Sequence, residues 1–261
     1  MKSLVLVKHV PDGNSVFRLN AAGTWVDETN LSFTVNDFDR YALEALLKLK
    51  DSGKVEEVVA LTVGTADAAA ALRTCLATGA DRAIHVKDEA LARSDPFLVA
   101  RAIHAAIASE GFSLILGGLQ AEDDNHTQVG GLLAGLLDWP FASAAVRLSL
   151  PDAGTLRVDR ELENNEVQVV DLTLPAVVTV QTGMNPPRYA SLKGIMAAKK
   201  KPVATFALAD LGLEPKDVRV KLRTVSLAPP PKGKGAEILT GSPDEVARAL
   251  VSRIREKTGV L

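Results

Sequence analysis

Two stretches of this chain carry residue types whose spacing could do chemistry. The first runs from Gly117 to Gly131 and reads GGLQAEDDNHTQVGG. Small residues let backbone approach a phosphate, and the stretch passes directly into an apolar segment, Leu132 to Leu137, with the pattern of a helix. Free N–H groups at such a helix start, backed by its dipole, suit an anion. Glu122, Asp123, Asp124 and Asp138 oppose this, and a phosphate is admissible only where their side chains turn away. The stretch has neither the G-x-G-x-x-G of a dinucleotide fold nor the lysine of a P-loop. His126 beside Asp123 and Asp124 invites a metal, yet no second His or Cys stands at ligand spacing, so it reads as a solvent-facing or capping histidine. His9, His85 and His104 are isolated, and no Ser-His-Asp or Cys-His arrangement is present. These residues predict a ligand loop, its ligand left open, on a binding or carrier protein.

The second stretch is Met184 to Pro202, MNPPRYASLKGIMAAKKKP. Pro186 and Pro187 rule out a continuing helix or a central strand. Arg188, Tyr189 and Leu192 follow on a short segment that either presents them to a partner or simply connects a strand to a lysine-ended helix. The residues alone favour the connection.

Both stretches need a frame. Leu4 to Val7, Val55 to Val63, Leu114 to Leu116 and Val177 to Val180 are short buried runs that predict strands, and Arg82 to Val86 has the alternation of a sheet edge. Helices are predicted from Asn36 or Asp37 to Gly53, Ala66 to Ala77, Asp95 to Ser109 and Gln128 to Leu137. Phe17 to Val26 reads as a hairpin excursion. The alternation predicts an α/β fold: a parallel sheet with helices on both faces. After Pro140, Ala145 to Leu150, Thr155 to Arg160 and Val167 to Leu172 predict an antiparallel insert. From Lys199 the chain is polar and rich in proline, with no core of its own. Pro243 to Lys257 is a last amphipathic helix with Val246, Leu250, Val251 and Ile254 on one face. Ligands of such sheets sit beyond the carboxyl ends of the strands, which brings Lys8 to Gly13, Val63 to Thr65 and Gly117 to Gly131 toward one place.

Composition narrows the class. With 261 residues, 47% hydrophobic and 24% charged, the chain can bury a sizeable core. A net charge of −2 and 4% aromatic residues argue against nucleic acid as a partner. No run approaches the roughly 20 apolar residues of a membrane span, and the first apolar run is too short for a signal peptide. A cytoplasmic protein is expected. The single cysteine, Cys75, lies in an apolar helical pattern and reads as core.

The residues also resemble a known family. LVKHVPD at Leu6 to Asp12, NDFD at Asn36 to Asp39, LATGADRAIHV at Leu76 to Val86 and GLQAEDDNHTQVG at Gly118 to Gly130 are followed by Trp139-Pro140. RELENN at Arg160 to Asn165, LPAVVT at Leu174 to Thr179 and PRYASL at Pro187 to Leu192 complete the set. In order and over nearly the whole chain, they resemble the β-subunits of the electron transfer flavoprotein family. The resemblance implies an electron carrier, not an enzyme. It implies a heterodimer whose α-subunit holds most of the FAD, while this chain holds a structural AMP. The AMP pocket would comprise Leu6, Asn36, Asp37, Phe38, Asp39, Val63, Gln120, Ala121, Asp123, Asp124, Asn125, His126, Thr127, Gln128, Val129, Gly130 and Gly131. Arg188, Tyr189, Leu192 and Ile195 would dock acyl-CoA or amine-type dehydrogenases, and a quinone oxidoreductase or similar acceptor would take the electrons. Residues 1–200, with the insert at 141–180, would form the nucleotide-binding domain, and 201–261 an arm and helix packed on the α-subunit. Electron-bifurcating relatives hold a second FAD instead and oxidise NADH. Asp124 and Gly131 replace their glycine and proline and favour AMP, whereas Val129 matches theirs. A stress-type nucleotide-binding module on the same fold would lack the insert and the proline-rich tail.

Overall fold

A computed structural model describes the chain except for residues 93, 215–218, 234, 260 and 261. In chain order the elements are β1 (Lys2–Leu6), β2 (His9–Pro11), β3 (Phe33–Val35), α1 (Asp37–Asp51), β4 (Glu57–Gly64) and α2 (Ala69–Thr78). Next come β5 (Arg82–Lys87), α3 (Pro96–Ile107), β6 (Leu114–Gly118), α4 (Val129–Leu137), β7 (Phe141–Ser149) and β8 (Thr155–Glu161). The last are β9 (Val167–Thr173), β10 (Ala176–Val180), α5 (Leu192–Ala198), β11 (Val203–Phe206) and α6 (Pro243–Thr258).

One nine-stranded sheet runs β11-β5-β4-β1-β6-β10-β7-β8-β9, and β2 and β3 form a small antiparallel pair. The pairs from β11 to β7 are parallel, and β8 and β9 add an antiparallel ribbon. Successive side chains of a strand point to opposite faces, so a strand buried on both sides must be apolar throughout. β1 obeys this: Val5 joins a core with the apolar sides of α1 and α2, while Leu4 and Leu6 join another with α3 and α4.

The edge assignment of Arg82 to Val86 is overturned. β11 returns from beyond residue 200 and pairs with β5 in parallel, Val203 opposite Ala83 through Phe206 opposite Val86. The polar look of β5 comes from Arg82 and His85. Arg82 meets Glu57 and Glu110, and His85, though buried, places its Nε2 3.1 Å from the Thr65 carbonyl. The expected hairpin at Phe17 to Val26 shrinks to a single bridge between Leu19 and Val26. The insert joins the main sheet, since β7 pairs with β10 on one side and β8 on the other. Among the described residues no helix is long and apolar enough to cross a membrane.

Candidate functional site

The parallel arrangement carries the C-terminal ends of β1, β4, β6 and β10 to one side, where they open onto a cleft of about 1970 Å³. That exceeds the roughly 300–1,000 Å³ of ordinary small-molecule pockets, and residues 220–225 of the C-terminal arm form part of its lining. Leu6, Asn36, Asp39, Val63, Gln120, Ala121, Asp123, Asp124, His126, Thr127, Gln128, Val129 and Gly130 line it. Four expected residues do not. The Asp37 N–H faces the Glu122 carboxylate at 3.3 Å, and the Phe38 backbone and Cβ pack on Gly118 so closely that a Cβ there would lie 2.5 Å from Phe38 Cβ. Asn125 turns the loop with φ of 52°, and Gly131 packs against the Phe141 ring.

Three side chains bolt the loops together. Asn36 stands at the N-cap position of α1 but makes no cap bond. Its Nδ2 donates to the Gln120 carbonyl at 2.9 Å and its Oδ1 accepts from Glu122 N–H at 3.1 Å, tying α1 to the long loop. Asp39 accepts the N–H groups of Lys8 and Gly118, both at 2.8 Å, and so clamps the ends of the neighbouring strands β1 and β6. Burial pushes its carboxyl up to about 7, against the pull of those hydrogen bonds.

The third bolt is Lys8. Its Nζ lies 2.7 Å from Asp123 Oδ1 and 2.7 Å from Asp124 Oδ2. Burial alone would lower the ammonium's pKa, but the two carboxylates outweigh it and hold it above its ordinary value. Burial likewise opposes ionisation of Asp124, and Lys8 prevails, holding that carboxyl below its usual value. The acidic pair, an obstacle to an anion in the bare sequence, is thus paired with a cation. Lys8 belongs to the site although sequence reasoning singled out only its loop. The signal available was a lysine at the end of the first strand facing the one loop rich in carboxylates. His126 Nδ1 sits 3.4 Å from Asp124 Oδ2 at the rim of the same cluster.

The junction into α4 is shaped for close approach. Thr127 adopts a φ of 56°, a strained conformation for a β-branched residue. Gln128 gives α4 no side-chain cap, and the first-turn N–H groups of Val129, Gly130 and Gly131 find no acceptor among the described residues. A Cβ on Gly130 would lie 2.3 Å from Thr179 Cγ2, so β10 itself requires glycine there. This arrangement fits an anionic ligand on the helix start.

Cys75 is buried and its thiol is pushed up to about 12 by desolvation, which leaves it a core residue without thiolate chemistry.

The second stretch lies away from the cleft. Arg188, expected to face a partner, is turned inward: its guanidinium bonds the buried Glu44 at 2.8 and 3.0 Å and reaches Asp51 at 2.6 Å. A buried carboxylate needs such a bidentate partner, so Arg188 braces the loop on α1. Asn185 adds a bond to the Tyr41 carbonyl at 3.3 Å. Ser191 caps α5 by accepting from Gly194 N–H at 3.0 Å. Tyr189 and Leu192 remain 85% and 84% exposed, and Ile195 and Met196 are exposed beside them.

A family model described as "Electron transfer flavoprotein domain" matches residues 23–211. The chain is 40% identical over 261 residues to the electron transfer flavoprotein subunit beta of Bradyrhizobium diazoefficiens, covering all of both chains. It is 36% identical over 264 residues to that of Methylophilus methylotrophus, covering 99% of this chain and all of the relative. To the subunit beta of Sus scrofa it is 36% identical over 258 residues, covering 98% of this chain and 97% of the relative.

Proposed function

The chain belongs to the electron transfer flavoprotein family as a β-subunit, and on that premise we propose that its cleft holds AMP as a structural nucleotide while its α5 segment docks electron-donating dehydrogenases. Membership makes it an electron carrier that works with an α-subunit. The FAD shared with that subunit supplies the redox chemistry, and this chain supplies binding and positioning.

The observation that carries the nucleotide reading is the convergence at the strand ends. Unpaired N–H groups at the start of α4, a glycine at the point of closest approach and an acidic pair of which Lys8 offsets one charge meet in one cleft. A phosphate suits the N–H groups of Val129 to Gly131. Asn36, Asp39 and the loop from Gln120 to Gln128 hold the rest of the nucleotide. Tyr189, Leu192 and Ile195 form the docking surface for acyl-CoA or amine-type dehydrogenases, with Arg188 as its brace. A quinone oxidoreductase or similar acceptor takes the electrons onward. The arm and α6 pack on the α-subunit.

Acid extraction of the purified heterodimer tests the reading. It should release FAD and AMP in equal amounts. Two FAD and no AMP would replace it with the bifurcating alternative, in which the same cleft holds a second flavin and NADH is the reductant.

A further inference from the structure

Among the described residues, the buried polar side-chain atoms without a hydrogen-bond partner belong to Ser3, Thr179 and Asn185. Ser3 lies on β1 toward the end opposite the cleft, and Asn185 lies under the docking loop. Thr179 is different, because it lines the cleft. It is 4% exposed, sits on β10 opposite Gly117 of β6, and packs its methyl group on Gly130 in the first turn of α4. A hydroxyl buried without a partner is a cost that native structures rarely carry for nothing. The residue that carries it packs its methyl on a helix turn whose N–H groups also lack acceptors among the described residues, at the start of a helix of nine residues.

We infer that Thr179 is a ligand-binding residue: its hydroxyl donates to the anionic oxygen that the first turn of α4 holds. This rests on the phosphate reading above and adds a side-chain donor from a strand that the loop motifs do not include. A β-branched residue suits the position, because its methyl fills the gap that Gly130 leaves while its hydroxyl is held in one of few rotamers. The ligand class is a phosphate monoester or diester, since only the charged group is recognised at this point.

Titration calorimetry on the nucleotide-depleted heterodimer, with AMP and with adenosine, tests this. Thr179→Val keeps the shape and removes the hydroxyl. AMP should bind roughly tenfold more weakly to it, with adenosine unchanged, and Thr179→Ser should restore AMP binding. In the absence of nucleotide the Thr179→Val heterodimer should melt no lower than the wild type, because the hydroxyl it loses has no partner there. Equal AMP affinity in wild type and Thr179→Val would overturn the inference. So would equal losses for AMP and adenosine, which would make the hydroxyl structural. Should the valine variant fail to assemble, Thr179→Ala and Thr179→Ser decide in the same way. A wild type that binds adenosine as tightly as AMP would instead overturn the phosphate reading itself, and with it this inference.

Discussion

A carboxyl that accepts two backbone N–H groups would ordinarily titrate low, yet burial pushes Asp39 up to about 7 from its usual 3.8. Desolvation wins because the group is wholly enclosed, and the Lys8 ammonium that favours its charge is already engaged by Asp123 and Asp124. The sign of the linkage follows. Between about pH 4 and 7 the folded state keeps a proton that the unfolded chain has released, so stability falls as pH rises through that window. At about 1.4 kcal/mol per pKa unit the effect is bounded at roughly 4 kcal/mol. Asp39→Asn cannot ionise and lacks this slope, although its amide turns a donor toward one of the two N–H groups. Urea midpoints of the two heterodimers, measured from pH 4 to 8, should therefore converge as pH rises. Parallel curves would show Asp39 ionised throughout. Asp39 shows what a sequence does and does not disclose. Its place in the site was legible from the NDFD motif, but its task was not, because Lys8 and Gly118 lie 31 and 79 residues away. The same separation hid Thr179, which stands in an ordinary apolar strand pattern and is marked only by what it fails to bond.

At the scale of elements, the parallel sheet and its helices were readable from short apolar runs alternating with capped amphipathic ones. Pairing at the far edge was not, because β11 has four residues and half-exposed chemistry and is strand only by virtue of β5 beside it. α5 makes the same point. Seven residues cannot hold a helix alone. It stands because Ser191 caps it, because Gly194 comes so close to α2 that a Cβ would lie 2.3 Å from the Ala77 carbonyl oxygen, and because Lys201 donates to the carbonyls of Leu76 and Ala80. Arg188 fixes the other end on Glu44. The result is a firm base with Tyr189, Leu192 and Met196 on its outer side. Exposed large apolar residues on a rigid base have the form of an interface anchor. Leu192→Ala should slow reduction of the heterodimer by its dehydrogenase roughly tenfold, equivalent to a loss of about 1.4 kcal/mol. FAD content, nucleotide content and reduction by dithionite should stay unchanged, since the side chain touches no core. Stopped-flow kinetics check the first expectation, and unaltered rates would remove Leu192 from the docking surface.

The molecule as a whole is built unevenly, and the unevenness points outward. From β1 to β11 the chain closes two cores over one sheet. Beyond β11 the arm contributes Leu208 to the core, packs Leu211 and Leu213 against it, and further on is tied down by hydrogen bonds to α3 and to the loop at Gly23. Asp95, the N-cap of α3, also accepts the N–H groups of Lys221 and Leu222, and Leu227 N–H reaches the Gly23 carbonyl at 2.7 Å. At its end α6 is well made as a helix, with Pro243 in its first turn, a capping box between Ser242 and Glu245, and basic residues in its last turn. Yet no residue of α6 is buried, and Leu250, Val251 and Ile254 are exposed along one side. Local signals therefore explain why this helix forms and leave unexplained what its stripe is for. The chain's own core is complete without it. In the proposed heterodimer the α-subunit would supply the missing surface: burial against it would remove the stripe from water at about 25 cal/mol per Å², less the cost of ordering the arm. Truncation before Pro243 should then leave the circular dichroism of the remaining fold near that of the full chain while weakening association with the α-subunit by tenfold or more, on the order of 1.4 kcal/mol. Analytical ultracentrifugation of the co-expressed subunits measures that shift. Undiminished association would place α6 outside the subunit interface, whereas loss of the β-subunit's own secondary structure beyond the deleted turns would show that α6 packs within its own chain.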